Sequence, residues 1–238
     1  MRHRSVIRMH TVNTMQAIGW PATALVLSLA IVLVIGAIVG AIGPEARVGM
    51  HEGMRFNGAI FAILGPLIGY GFTSMGQFFP LALGLGITRR EYALGAGLLF
   101  LANAVLYTGV ITVGKAIEVA TDGFGLGVRF FDVVYVGTGP LWQTTIQSFL
   151  VITAMLFLGA AITAAFLRLG QPFLWTLGGA LGVIGVAIFA GLVLIDGLGA
   201  ALLRVLTMGW GPWMGVTAGI ALLAAGVWLL LVRRTQVR

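Results

Sequence analysis

Cysteine is absent from the 238-residue chain, so no disulfide, iron–sulfur cluster or thiolate metal site can form. Charge is scarce as well. Only 9% of residues are Asp, Glu, Lys or Arg, against roughly 25% in an average soluble domain. No Asp or Glu falls in the middle of any long apolar run. Transporters coupled to protons or sodium usually keep ionisable groups there as ion sites or relays, which argues against that class. The three histidines, His3, His10 and His51, all lie outside the apolar runs and have no metal-ligand spacing. There is no Gly-x-Ser-x-Gly elbow, and serine is too sparse to furnish a hydrolase site.

What fills the chain instead is apolar residues, 59% of the total, together with 36 glycines. The mean hydropathy is +1.05. This composition belongs to an integral membrane protein, and abundant glycine suits close helix packing in lipid. About 20 apolar residues suffice to cross the hydrocarbon. The runs predict an all-α, polytopic fold with six transmembrane helices, at about 20–43, 57–78, 92–117, 140–167, 172–195 and 213–232. These form one transmembrane domain over 20–232, flanked by a basic segment 1–19 and a tail 233–238. Segment 1–19 carries Val6, Ile7, Met9, Val12 and Met15 at roughly helical spacing. It reads either as a short amphipathic helix on the membrane surface or as a frayed tail that orients the first span. The first run is longer than the apolar region of a signal peptide, roughly 7–15 residues, which argues against cleavage. Gly43-Pro44 stops the first span, and a mixed-charge loop is expected over 44–56. Segment 196–212 is amphipathic and glycine-rich, and predicts a short helix or re-entrant pair at the outer interface.

The charge distribution tests this topology. The N-terminal segment, the connections after spans two and four, and the tail hold nine arginines against the single acid Glu91. The other three connections hold five basic and six acidic residues. By the positive-inside rule both termini face the cytoplasm. The basic residues are therefore orienting charges, and nucleic-acid binding is not expected.

The stretch Phe79-Pro80-Leu81-Ala82-Leu83-Gly84-Leu85-Gly86-Ile87-Thr88-Arg89-Arg90-Glu91-Tyr92 stands out. Pro80 lacks an N–H and is expected to break the second helix. Thr88 with Glu91 three residues on is a capping-box pattern that starts a fresh helix. A short surface helix, a turn at Gly86-Ile87 and a capped third span follow. The stretch reads as a surface for another protein or as a basic membrane-border turn. Within the spans, Ser74 and Gln77, Asn103 and Tyr107, and Gln143 and Gln147 form neighbouring polar pairs. They read as interhelical hydrogen bonds or as the lining of a substrate path. Gly36/Gly40, Gly65/Gly69, Gly178/Gly182 and Gly215/Gly219 have GxxxG spacing, and one or two of these pairs are expected at helix contacts or a dimer seam. Gly109 to Lys115 follows P-loop spacing, but Ala116 replaces the magnesium-binding hydroxyl and no strand precedes it. Lys115 is expected to snorkel to the interface.

The 79–92 stretch resembles the segment after the second span of small bacterial ABC-2-type transporter permeases, where a run ends in Thr/Ser-Arg-Arg before an aromatic residue. The Arg168-Leu169-Gly170 turn, the six spans and the amphipathic segment before the last span resemble that family too. The residue usage, rich in Ala, Gly, Val, Leu and Arg, resembles that of actinobacteria. The resemblance implies a dimeric exporter of the bacterial plasma membrane, formed with a second permease copy or a paralogue. It implies two copies of a separate ATP-binding subunit, with ATP and magnesium bound there and no cofactor on this chain. It implies that 79–91 is a cytoplasmic coupling helix, with Pro80, Leu83, Gly86, Ile87, Thr88, Arg89, Arg90 and Glu91 at the ATPase contact. Rival readings are a stand-alone secondary transporter or channel, and a non-transporting membrane scaffold.

Overall fold

The apolar runs fold into six long helices in a computed structural model of the chain, which describes residues 14–206 and 209–234. No strand occurs among the described residues. Helix α1 spans Met15–Ile42 and opens with a π turn over Met15–Gly19. Gly43 ends it, and α2 follows over Pro44–Gly53. Helix α3 covers Ala59–Gly84, α4 Arg89–Ala120, α5 Leu141–Leu169 and α6 Gln171–Leu194. A short α7, Leu198–Leu206, precedes α8, Trp210–Arg234. Six helices long and apolar enough to span a bilayer make this a multi-pass membrane protein. The basic residues of the N-terminal segment lie outside the described residues, as do Thr207, Met208 and the end of the tail.

Two connections differ from expectation. Residues 44–53 form α2 rather than a loop, because Pro44 occupies the first turn, where its missing N–H costs nothing, and Glu45 complements the helix dipole. The second span does not break before Pro80. A π turn over Ser74–Phe78 widens the helix, the Phe79 N–H reaching back to the Ser74 carbonyl. That wide turn absorbs the donor that proline lacks, and the helix runs on to Gly84. The short helix Phe79–Gly84 is thus the last turn of α3.

Helix α5 is the centre of the bundle, with α3, α4 and α8 packed around it. Phe100 of α4 meets Tyr70 of α3 edge-on at 5.8 Å and Phe157 of α5 at 5.3 Å. Trp228 of α8 closes the cluster 5.2 Å from Phe157. Edge-to-face pairs of this kind add to simple burial, so four helices are fixed by one aromatic cluster. Helices α3 and α5 touch backbone to backbone through Gly71 and Gly159, where any added Cβ would strike the facing main chain. The GxxxG pairs behave otherwise. Apart from Gly36, which abuts Val128, none of their glycines has a neighbour in the chain that an added Cβ would touch. Helix α6 buries no residue against the rest of the chain.

Candidate functional site

The turn between α3 and α4 is built by local chemistry. Gly86, at φ +76°, reverses the chain in a conformation that suits glycine. The Ile87 N–H then bonds the Ala82 carbonyl at 3.0 Å, and its side chain is buried. Thr88 caps α4. Its Oγ1 accepts from the Glu91 N–H at 3.3 Å, and Glu91 Oε2 accepts from the Thr88 N–H at 2.9 Å. This is the reciprocal capping box expected from the sequence. Arg89 donates from Nη1 to the Arg233 carbonyl at 3.1 Å, tying the turn to the end of α8. Pro80, Leu83, Arg89 and Glu91 are half-buried, while Gly86, Thr88 and Arg90 are exposed, as are Leu81 and Leu85. The face is a rigid turn with Leu81, Leu85 and Arg90 projecting from it. Thr88→Ala is expected to lower stability by about 1 kcal/mol, read as a fall in thermal midpoint of the detergent-solubilised chain that Thr88→Ser does not produce.

The polar span residues do not gather in one place. Ser74 Oγ lies 2.8 Å from the Tyr92 hydroxyl, bridging α3 and α4 inside the core, and Gln77 is exposed. Asn103 donates to the Leu99 carbonyl of its own helix at 3.0 Å, and the Tyr107 hydroxyl donates to the Ile18 carbonyl in the π turn of α1. Asn103 lines a cavity of about 170 Å³ beside Ala17, Ile18 and Tyr70. Gln147 accepts from Thr217 of α8 at 3.4 Å and lines a separate cavity of about 30 Å³ with Ser148, Ile60 and Val151. Gln143 is half-buried one turn before Gln147. Four of the six side chains thus sit in, or bond across, helix contacts in three different places.

The opposite face holds what the sequence reading missed. Lys115 does not snorkel: it is 2% exposed. Its Nζ donates to the carbonyls of Gly137 and Gly139 and to Thr144 Oγ1, and pairs with Asp132 Oδ1 at 3.0 Å. One turn on, Glu118 is also buried, because α4 continues past the expected end of the third span to Ala120. Glu118 accepts three backbone N–H groups, from Phe130 at 3.0 Å, Phe131 at 2.7 Å and Asp132 at 3.0 Å. Together the two side chains fold residues 121–139 into a cap over the bundle. Asp132 also pairs with Arg129 Nη1 at 2.8 Å, and Arg129 Nη2 lies 2.7 Å from His51 Nε2 on α2. The signal in the sequence is the spacing. Lys115 and Glu118 are three apart on α4, which places both on one side of that helix.

Residues 109–116 are uninterrupted helix within α4, so no loop backbone is available there to cradle a phosphate. No group of three or more His, Asp or Glu side chains able to hold a metal occurs among the described residues. Compared with known protein families, with characterised proteins and with solved structures, the chain matches none.

Proposed function

We propose that this chain is the permease subunit of an ATP-driven exporter of the ABC-2 type. It forms the membrane path as a dimer with a second copy or a paralogue, and two copies of a separate ATP-binding subunit supply the energy. The observation that carries this reading is the turn between α3 and α4. Arg90, Leu81 and Leu85 project from a backbone fixed by the Thr88–Glu91 box and by the buried Ile87. A rigid exposed turn joined directly to two spans can transmit force from a docked protein into the bundle, and its link to α8 through Arg89 reaches a third span. The excess of arginine on this side supports a cytoplasmic position for the turn and both termini, in a bacterial plasma membrane. ATP and magnesium are bound by the partner.

One observation favours the stand-alone transporter instead: the buried Lys115 and Glu118 near the end of α4, with the half-buried Asp132 beside them, since ionisable groups within membrane spans are often functional. Their bonding speaks for a structural role. Lys115 meets four acceptors and Glu118 three donors, all fixing one loop, which leaves neither poised to exchange an ion.

The deciding experiment is affinity purification of the tagged chain from its own membranes, followed by assay of co-purifying ATPase activity. Wild type is expected to retain the ATPase. Arg90→Glu, which removes an exposed charge outside the box, and Arg89→Glu/Arg90→Glu are expected to lose it while still inserting. An ATPase that never copurifies, or that both variants keep, makes the turn a topology signal only.

A further inference from the structure

We propose that the contact between His51 and Arg129 is an acid-sensitive clasp that holds α2 against the 121–139 cap and releases it when His51 is protonated. The protonation state follows from the partners. Arg129 donates to His51 Nε2, from Nη2 at 2.7 Å and from Nε at 3.2 Å. A guanidinium has no acceptor, so Nε2 carries the lone pair and the ring is neutral. Its proton is on Nδ1, which donates to the Gly127 carbonyl at 2.8 Å. The neutral ring therefore bridges α2 to the cap at two points, one on each nitrogen. Adding a proton places an N–H against the guanidinium's own N–H groups. Both hydrogen bonds from Arg129 are lost, and two positive charges meet at contact distance.

The surrounding charges do not reverse this sign. On α2 itself Arg47 adds a further positive charge, donating to the carbonyls of Gly125 and Leu126 at 2.7 Å and 3.2 Å. Arg55 follows α2 and is exposed. Glu52 and Asp122 share an open cleft of about 390 Å³ with His51 and Arg47, but both carboxylates are exposed, where water and salt attenuate them. Asp132 lies on the far side of Arg129 and is already shared with Lys115. Glu118 is occupied by three backbone N–H groups.

The opening is local. The deep half of the cap is held by Lys115 and Glu118, which do not involve His51. What loosens is the seam between 44–56 and 121–134, whose other ties are the Arg47 bonds, Asn57 Nδ2 to the Arg129 carbonyl at 3.0 Å, and the Val134 N–H to the Arg55 carbonyl at 3.0 Å. The seam joins the end of α1 and the start of α3 to the end of α4, so its release frees the connection between the first two spans. The inference does not depend on the transport reading.

Hydrogen–deuterium exchange of the full chain in lipid nanodiscs tests it, at about pH 7.5 and about pH 5, on either side of the range where histidine ordinarily changes charge. Rates are corrected for the intrinsic pH dependence of exchange. Peptides covering 44–56 and 121–134 in wild type are expected to exchange at least about tenfold faster at the lower pH, the effect of losing the hydrogen bonds that the Arg129 guanidinium donates. The core of α5 is expected not to change. His51→Gln keeps an acceptor for Arg129 but cannot titrate, so its exchange is expected to be the same at both pH values. No acceleration in wild type overturns the proposal, whatever the variant does. An acceleration that persists in His51→Gln overturns it too, because another group would then be the switch.

Discussion

Gly159→Ala is expected to destabilise the chain by about 3 kcal/mol, the upper end of the usual cost of overpacking a tight core, and Gly159→Val to prevent recovery of monodisperse protein. A Cβ at 159 would lie 2.2 Å from the Ile68 carbonyl oxygen, and one at 71 would lie 2.4 Å from the Leu156 carbonyl oxygen. Both obstacles are main-chain atoms in regular helix, so no rotamer change makes room. The two helices must move apart along the seam that aligns Tyr70 with Phe100 and Phe157. In lipid that separation is not resisted by a hydrophobic force between helices, because the acyl chains are as apolar as the side chains. Close packing itself supplies the association. Gly69→Ala is the matched control: it lies two residues from Gly71, and an added Cβ there meets nothing within 4 Å. Its effect is expected to stay within about 1 kcal/mol, helix propensity favouring alanine. Thermal unfolding in detergent, followed by intrinsic fluorescence and size-exclusion profile, compares the three. Equal midpoints for Gly159→Ala and Gly69→Ala would sink the backbone-contact argument.

That contrast shows which features a single sequence discloses. The six spans were readable because each needs only its own length and polarity to be recognised. The capping box at Thr88 was readable because its partners are three residues apart. GxxxG spacing marks little within the chain, where of those eight glycines Gly36 alone abuts a neighbour, Val128. The seam between α3 and α5 uses one glycine from each helix, and no spacing within either helix records that pairing. Helix α6 makes the same point. Its apolar sequence marks a span, but lipid tails and a protein partner are equally apolar, so hydrophobicity is silent on which of them α6 meets. The continuation of α3 through Pro80 depends on the π turn at Ser74–Phe78, a backbone adjustment with no residue signature of its own. Residues 44–53 carry a helix-start signal in Pro44 and Glu45, but Gly43-Pro44 is equally the signal that stops the preceding span, and mixed charge suits a loop as well as an exposed helix. The candidate docking turn was thus legible in its chemistry and misjudged in its continuity with α3. The ionic cap on the other face was legible only in the three-residue spacing of Lys115 and Glu118. Its bonds join Lys115 to residues 17 to 29 positions away, and nothing local distinguishes a buried lysine from one that reaches the interface.

Lys115→Met settles that last distinction by magnitude. A lysine that snorkels loses only an interfacial charge when replaced by an apolar chain of similar length, a change within about 0.5 kcal/mol. Lys115 as the structure places it is the hub of the cap, 2% exposed and paired with Asp132 at 3.0 Å. Its loss leaves the carbonyls of Gly137 and Gly139 and the Thr144 hydroxyl oxygen without the lysine donor, while Asp132 keeps its pair with Arg129. Removing one member of a fully buried pair costs roughly 3–5 kcal/mol. Asp132 is 17% exposed and keeps Arg129 at 2.8 Å, so the loss here is expected at the lower end, about 3 kcal/mol, much of it from the acceptors that lose their donor. The effect is therefore expected to be severe and to concentrate in residues 128–139, where amide exchange should rise before the core of α5 responds. Part of the cost belongs to the carboxylate left with one cation in place of two, which makes a second variant informative. Lys115→Met/Asp132→Asn removes both charges and is expected to recover part of the loss, so that the two substitutions together cost less than their separate effects added. Full additivity would mean that the pair is not coupled, and a small effect of Lys115→Met alone would return this residue to the membrane interface. The partial recovery places the energy in the pairing, and with it the reason a cation tolerates burial near the end of a membrane helix: it holds the 121–139 segment closed over the bundle from beneath.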